Sequence, residues 1–223
     1  MRIPLNSDEW PEEWKIVPYK EYPRLEKIML ESKKPQGGLF ESISTRKSAR
    51  DFSGKNLSLT EISTLCNYSC GKVSGADESG HRAQPSGGGR YPVEMYLLFF
   101  TQAKGIEPGV YHYNVKAHAL DVLWERPFSS EDIGKLFTYP WAQEASVAVI
   151  LTGVFERNQM KYGERGYRQI LIEAGAIVQN LYLVTTALGL KCCAIDGVHE
   201  PAIEKLLDID GITESALCSL VLG

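Results

Sequence analysis

Two periods run through this chain. The stretch VEMYLLFF within residues 92–100 and ASVAVILTGVF over 145–155 are continuous apolar runs of strand length, bounded by turn residues. Residues 110–113 and 120–124 are shorter strands joined by the turn NVKAHA, and 193–198 and 215–222 are two more, separated by the helix PAIEKLLDI. Helical spacing governs elsewhere. Ser58-Leu-Thr-Glu61 is a capping box, followed by Ile62, Leu65 and Cys66 on one face. Residues 38–45 and a segment starting at Ser129 give shorter helices, and 167–190 give a long one. Mixed elements with local strand pairs predict an α+β fold on a largely antiparallel sheet, not a doubly wound one. The long helix is apolar on almost every side and needs cover all round, which a dimer supplies more easily than one chain.

Residues 1–35 depart from both periods. They are rich in Pro, Trp, Tyr and charge, and Pro11, Pro18, Pro23 and Pro35 break any long helix. They predict an extended arm that packs its aromatics on another surface, a second subunit among the choices. Residues 36–223 then form a single domain, with no repeat and no low-complexity linker.

Composition narrows the function classes. With 223 residues and a net charge of −4, nothing favours nucleic acid or an anionic membrane as partner. The N-terminal stretch has no apolar run of signal-peptide type. The long helix carries Glu173, Gln179 and Asn180, which suits a soluble core better than lipid. The five cysteines are odd in number and lack Cys-x-x-Cys spacing, so reduced thiols and a cytoplasmic location are expected. Cys66 and Cys70 share a helical face and read as core. No histidine falls at metal-ligand spacing, so no metal is expected.

Four clusters remain as candidate chemistry. Arg46-Lys47-Ser48-Ala49-Arg50 offers two guanidiniums and a hydroxyl to a phosphate, against the reading of a solvated basic turn. Pro85-Ser86-Gly87-Gly88-Gly89-Arg90 lets backbone approach a planar ligand closely, against that of a flexible loop; it is neither a P-loop nor a G-x-G-x-x-G helix start. Lys161 and Tyr162 can supply a base and an acid, with Arg157, Arg165 and Arg168 lowering both pKa values. The competing reading is an exposed, charged helix start. Ile195-Asp196-Gly197 closes a short strand, where backbone contacts to a ligand are common. Glu173 reads as a buried partner for an arginine ahead of any catalytic role.

Taken in order, these segments resemble the nitroreductase superfamily of FMN flavoproteins, and within it the SagB-type dehydrogenases that include azoline oxidases. PYKEYP (18–23), RKSARDF (46–52), PSGGGRYPVEMY (85–96), PGVYHYNVKAHAL (108–120), KYGERGYR (161–168), EAGAIVQNLYL (173–183), ALGLKCCAIDGV (187–198) and LVLG (220–223) carry the likeness over about 200 residues. The resemblance implies a sheet-and-helix fold with a long helix at a dimer interface and FMN between the subunits. It implies that Arg46, Ser48 and Arg50 hold the FMN phosphate and that Pro85, Ser86, Gly87 and Gly88 line the flavin from the other subunit. Ile195, Asp196 and Gly197 would approach the ring through their backbone, and Lys161 and Tyr162 correspond to the Lys-Tyr pair of the azoline oxidases. Two departures stand out. Gly87 to Gly89 replace the Asn that many simpler relatives carry after Pro-Ser, which favours the SagB-type branch. No basic residue follows Lys205, so the phosphate rests on Arg46 and Arg50, helped by Lys47.

The expected activity is FMN-dependent oxidation of azoline rings in peptides to azoles, with a base removing a proton as a hydride passes to flavin N5. The rival within the same site is an NAD(P)H-dependent nitroreductase or quinone reductase. A rival of another class is a non-catalytic FMN- or peptide-binding partner subunit.

Overall fold

The computed structural model describes residues 11, 19–31, 38–73 and 80–223. The strands are β1 (Lys27–Met29), β2 (Val93–Phe99), β3 (Gly109–Asn114), β4 (Ala119–Glu125), β5 (Val147–Val154), β6 (Cys192–Ile195) and β7 (Glu214–Leu222). The helices are α1 (Leu39–Thr45), α2 (Leu59–Cys70), α3 (Ser130–Leu136), α4 (Glu156–Tyr162), α5 (Arg165–Ala187) and α6 (Glu200–Leu207). The seven strands make one sheet in the order β1-β4-β3-β2-β5-β7-β6, and every pairing is antiparallel.

The continuous apolar runs are explained by cover on both faces. Successive strand residues point to opposite sides. On β2, Val93, Met95, Leu97 and Phe99 enter a core with α2 and α5, while Tyr96 and Leu98 enter a second core under α3 and α6. Val147, Val149 and Leu151 of β5 alternate in the same way with Ala148 and Ile150. Two-sided burial removes the polar alternation of a solvent-facing strand. Cys66 and Cys70 lie in the first core as read from their helical spacing. The Ser58 capping box is formed: Ser58 Oγ accepts from the Glu61 N–H at 3.2 Å, and the Glu61 carboxylate accepts from the Ser58 N–H at 2.7 Å.

α5 is 23 residues long and is packed along one face on α2 and the sheet, through Ile170, Ala174, Ile177, Leu181 and Val184. Its other face carries Leu171 and Ile172, the latter 71% exposed. The neighbouring α1 exposes Leu39, Phe40 and Ile43 beside it. The all-round apolar character therefore divides into a core face and an outward apolar face.

Of the arm, residues 19–31 are described, and they pack on their own chain. The Tyr22 ring meets His112 edge-on at 5.3 Å. Lys20 Nζ lies 2.5 Å from Tyr96 Oη and ion-pairs with Glu214. Arg82 sits over the Tyr19 ring at 5.2 Å. For this part, the surface that takes the aromatics is the sheet itself. Pro18, Pro35 and the segments 1–10, 12–18 and 32–37 lie outside the described residues.

Candidate functional site

The Arg46–Arg50 cluster follows α1 and runs along the free side of β6. The Ala49 N–H donates to the Cys192 carbonyl at 2.9 Å, and Lys191 pairs with Asp51 at 2.6 Å. Tyr182 of α5 ties the cluster to the strand. Its hydroxyl is 2.9 Å from Ser48 Oγ and accepts from the Ala194 N–H at 2.8 Å, while Arg46 stacks on its ring at 5.0 Å. Lys47, Ser48 and Arg50 stay exposed. Arg50 lies over Trp141 at 5.9 Å, and Trp141 stacks in turn on Phe52 and Tyr139. This is a cationic cradle with an aromatic floor, fitted to an anionic group on a planar ligand.

Gly197 ends the same region. Its carbonyl accepts from the Thr138 N–H at 2.9 Å, and a Cβ on it would lie 2.7 Å from the Tyr139 ring. Only glycine lets the strand end pass so close to Tyr139. Asp196 is exposed beside it, whereas the Ile195 side chain is core. Ile195 can therefore serve a ligand only through its backbone.

The second assembly lies at the other end of α5. Residues Gly87–Gly89 form a single 3-10 turn, with φ of +70° at Gly88 and +65° at Gly89. A Cβ on Gly88 would collide with the Tyr162 hydroxyl and lie 3.1 Å from Lys161 Nζ. A Cβ on Gly87 would lie 2.6 Å from Gln169 Oε1. The glycine loop is thus seated directly on the Lys-Tyr pair. The Tyr91 N–H donates to Ser86 Oγ at 2.8 Å and fastens the loop's exit, with Tyr91 held at φ +48°.

Two features of the sequence reading need correction here. Lys161 and Tyr162 do not begin the long helix. They end the separate helix α4, and Gly163, at φ +56°, turns the chain before α5 starts. Lys161 is also not an exposed charge, being only 5% exposed. Its pKa is lowered, as expected, but burial is the main cause and Arg90 the second; Arg157, Arg165 and Arg168 are not among the causes. The Tyr162 pKa moves up, not down, because burial outweighs the pull of Arg90. Sequence proximity misled, since Arg90 reaches the pair from the far side of the glycine loop.

Arg90 was missing from the sequence's candidate residues. It is 2% exposed, and its Nε donates to the Arg157 carbonyl at 2.8 Å. Arg157 is itself anchored, donating to the Tyr91 carbonyl at 2.9 Å and pairing with Glu94 at 2.5 Å. Glu94 meets His112 Nε2 at 3.0 Å, and the other ring nitrogen faces Asp121 at 3.4 Å. Burial would raise the Glu94 pKa, but His112, Arg157 and Arg82 together hold it down at about 2. Asp121 also pairs with Lys27. A buried ionic chain thus links the sheet interior to the cation beside Lys161. The signal for Arg90 was its place after three glycines, where a charged residue led straight into a buried strand.

Glu173 is buried, as read, but it has no ion pair with an arginine. Gln84 donates to its Oε1 at 3.2 Å, and Ser86 is its other hydrogen-bonding neighbour.

The two assemblies meet α5 at Gln169 and Tyr182. Thirteen residues at 1.5 Å each separate these by about 20 Å along the helix. Within one chain, the cationic cradle and the glycine loop are therefore distinct half-sites. A groove of about 540 Å³ lies elsewhere, between Trp124, Phe128, Leu136 and Leu206, and touches none of these residues. No group of three or more His, Cys, Asp or Glu able to hold a metal occurs among the described residues.

With the sheet, the long helix and the glycine loop in place, comparison with known proteins assigns the class. The Nitroreductase family model matches residues 43–223, and the chain belongs to the nitroreductase family. It is 34% identical over 174 residues to the trifolitoxin-processing protein TfxB of Rhizobium leguminosarum bv. trifolii, covering 74% of this chain and 47% of TfxB. It is 30% identical over 146 residues to the microcin B17-processing protein McbC of Escherichia coli, covering 61% of this chain and 52% of McbC. The chain thus spans about half the length of each processing protein. The solved E. coli microcin synthetase McbBCD complex, with truncated pro-MccB17 bound, contains a chain that matches with a TM-score of 0.67 at 26% identity. That match covers 82% of this chain and 71% of that one.

Proposed function

We propose that this protein is an FMN-dependent oxidoreductase of the SagB type that oxidises azoline rings in a peptide to azoles. The observation that carries the reading is the seating of Gly88 on Lys161 and Tyr162, which puts a buried amine of lowered pKa at the loop the family resemblance assigns to the flavin. The likeness to two peptide-toxin processing proteins supports a peptide substrate. It also supports work beside partner subunits, as in the microcin synthetase complex.

The residues fit FMN. Arg46, Ser48 and Arg50, with Lys47, form a donor set for its phosphate. Gly87 and Gly88 open space that any Cβ would fill, and Gly197 brings the strand-end backbone of Ile195 and Asp196 close to the same region. The 20 Å between the half-sites suits a homodimer in which one subunit gives the cradle and its partner gives the loop. The outward apolar faces of α5 and α1 would be buried by that pairing. When bound, FMN supplies the two-electron redox chemistry. The protein holds the substrate ring and moves its proton. Lys161 Nζ accepts the proton from the ring carbon beside the acyl group. Tyr162 Oη, whose raised pKa keeps it protonated, donates a hydrogen bond in the same pocket. Arg90 favours the neutral amine that this role needs.

The test is Lys161→Ala and Tyr162→Phe in protein loaded with FMN, assayed on an azoline peptide. The reading expects retained flavin with turnover lowered on the order of 10²–10⁴-fold for the lysine change. Normal turnover in Lys161→Ala would refute the assigned role. Rapid bleaching of the flavin by NAD(P)H, with no azoline turnover in the wild type, would favour a nitroreductase or quinone reductase instead.

A further inference from the structure

Glu173 lies one helical turn beyond Gln169, so both face the glycine loop from α5. Gln169 lies under Gly87, and Glu173 lies under Ser86. The acid is 1% exposed. One oxygen accepts from Gln84; the other, Oε2, has no hydrogen-bond partner in the protein, and neither has Gln84 Oε1. The charged and titratable groups around it are Arg82 from the loop, Arg157 from α4 and Cys70 from α2, with Glu94 of β2 beside the two arginines. Neither arginine forms an ion pair with it. Arg82 is instead sandwiched between Tyr19 and Tyr91. Burial pushes the carboxyl up to about 7, against the smaller pull of Ser86, Gln84 and the two arginines.

We propose that Glu173 is a positioning residue for the flavin loop: its carboxylate accepts from Gln84 and Ser86 and clamps residues 84–88 in their ligand-binding form, and protonation releases the clamp. The inference rests on the FMN reading of the loop. Ser86 Oγ has two bonds to satisfy, accepting from the Tyr91 N–H and donating its own proton. An ionised Glu173 has lone pairs for both Ser86 and Gln84. A neutral one has fewer, and adds a proton that needs an acceptor of its own. The loop then loses its fixed Ser86 rotor, and the glycines, which have no side chains to hold them, follow.

The test is titration of flavin-free wild type, Glu173→Gln and Ser86→Ala with FMN, from about pH 5.5 to about pH 8.5. The wild-type Kd should weaken about tenfold as pH falls through about 7, equivalent to a one-unit change in the Glu173 pKa on binding. Glu173→Gln should show a Kd flat with pH, and Ser86→Ala a reduced slope. A merely structural role would shift the Kd by one factor at every pH. A flavin-free readout runs in parallel. Because the folded-state pKa is raised, the wild type should lose stability to urea as pH rises from the ordinary glutamate range to about 7, and Glu173→Gln should not. FMN binding with equal pH slopes in wild type and Glu173→Gln overturns this inference and leaves the flavoprotein reading standing. Failure of the wild type to take up FMN at any pH overturns both.

Discussion

Gly88 and Gly89 provide a matched pair for testing whether the glycine loop exists to make room for the Lys-Tyr pair. Both have positive φ, +70° and +65°, so an alanine at either pays a similar backbone cost of about 1–2 kcal/mol. The difference is what a new Cβ meets. At Gly89 nothing lies within 4 Å. At Gly88 the methyl would overlap the Tyr162 hydroxyl and crowd Lys161 Nζ at 3.1 Å. Lys161 is 5% exposed and Tyr162 is packed at the end of α4, so neither can swing aside without leaving its place. Gly89→Ala should therefore lower Tm by roughly 2–8 °C, about 2–4 °C per kcal/mol for a chain of this size, and keep flavin and turnover. Gly88→Ala should pay that cost plus about 1–3 kcal/mol of overpacking, and should lose turnover at least about tenfold beyond any loss of FMN. Differential scanning calorimetry, FMN titration and single-turnover kinetics on the two variants separate these terms. Equal behaviour of the two alanine variants would refute the reasoning, because the shared φ penalty would then explain everything.

Other perturbations test the supporting contacts. Tyr182→Phe removes the hydroxyl shared by Ser48 and Ala194, and should cost about 1 kcal/mol in urea unfolding and weaken FMN binding, while its ring keeps Arg46 in place. Arg157→Ala leaves Glu94 buried without its guanidinium and should cost about 3 kcal/mol or more, measured by the same unfolding. The Glu94 pKa is depressed to about 2, so its contribution is complete above the ordinary glutamate range and is lost as pH falls towards about 2; Glu94→Gln should flatten acid unfolding over that window. Turnover, if it needs the neutral Lys161 amine, should rise with pH to a plateau below the usual lysine pKa. Arg90→Met should move that limb to higher pH, and an unmoved profile would show that Arg90 does not tune Lys161.

Much of the fold was legible because its elements carry strong periods. The β2 and β5 runs, the β3–β4 pair, the capping box of α2 and the long α5 stand within a few residues of where the pattern puts them. β1 is three residues long and is defined only by pairing with β4, so no local pattern announced it. α4 was hidden because its charged residues run without a break into α5, and only the left-handed Gly163 separates them. The site was legible as residue types but not as electrostatics. Which arginine faces Lys161 depends on how the loop after Gly89 folds back, and that is a long-range contact between residues 90 and 157. Tyr182, Gln169 and Tyr139 were invisible for the same reason. They read as ordinary core or turn residues until the half-sites are assembled around them.

The most direct test of the whole account is a titration of the purified, flavin-free protein with FMN, followed by absorbance and flavin fluorescence, with the stoichiometry determined per chain. The account expects saturable binding of about one FMN per chain, abolished by changing Arg46 and Arg50 together to Ala. A protein that takes up no FMN, or takes it up equally well without those arginines, would contradict it.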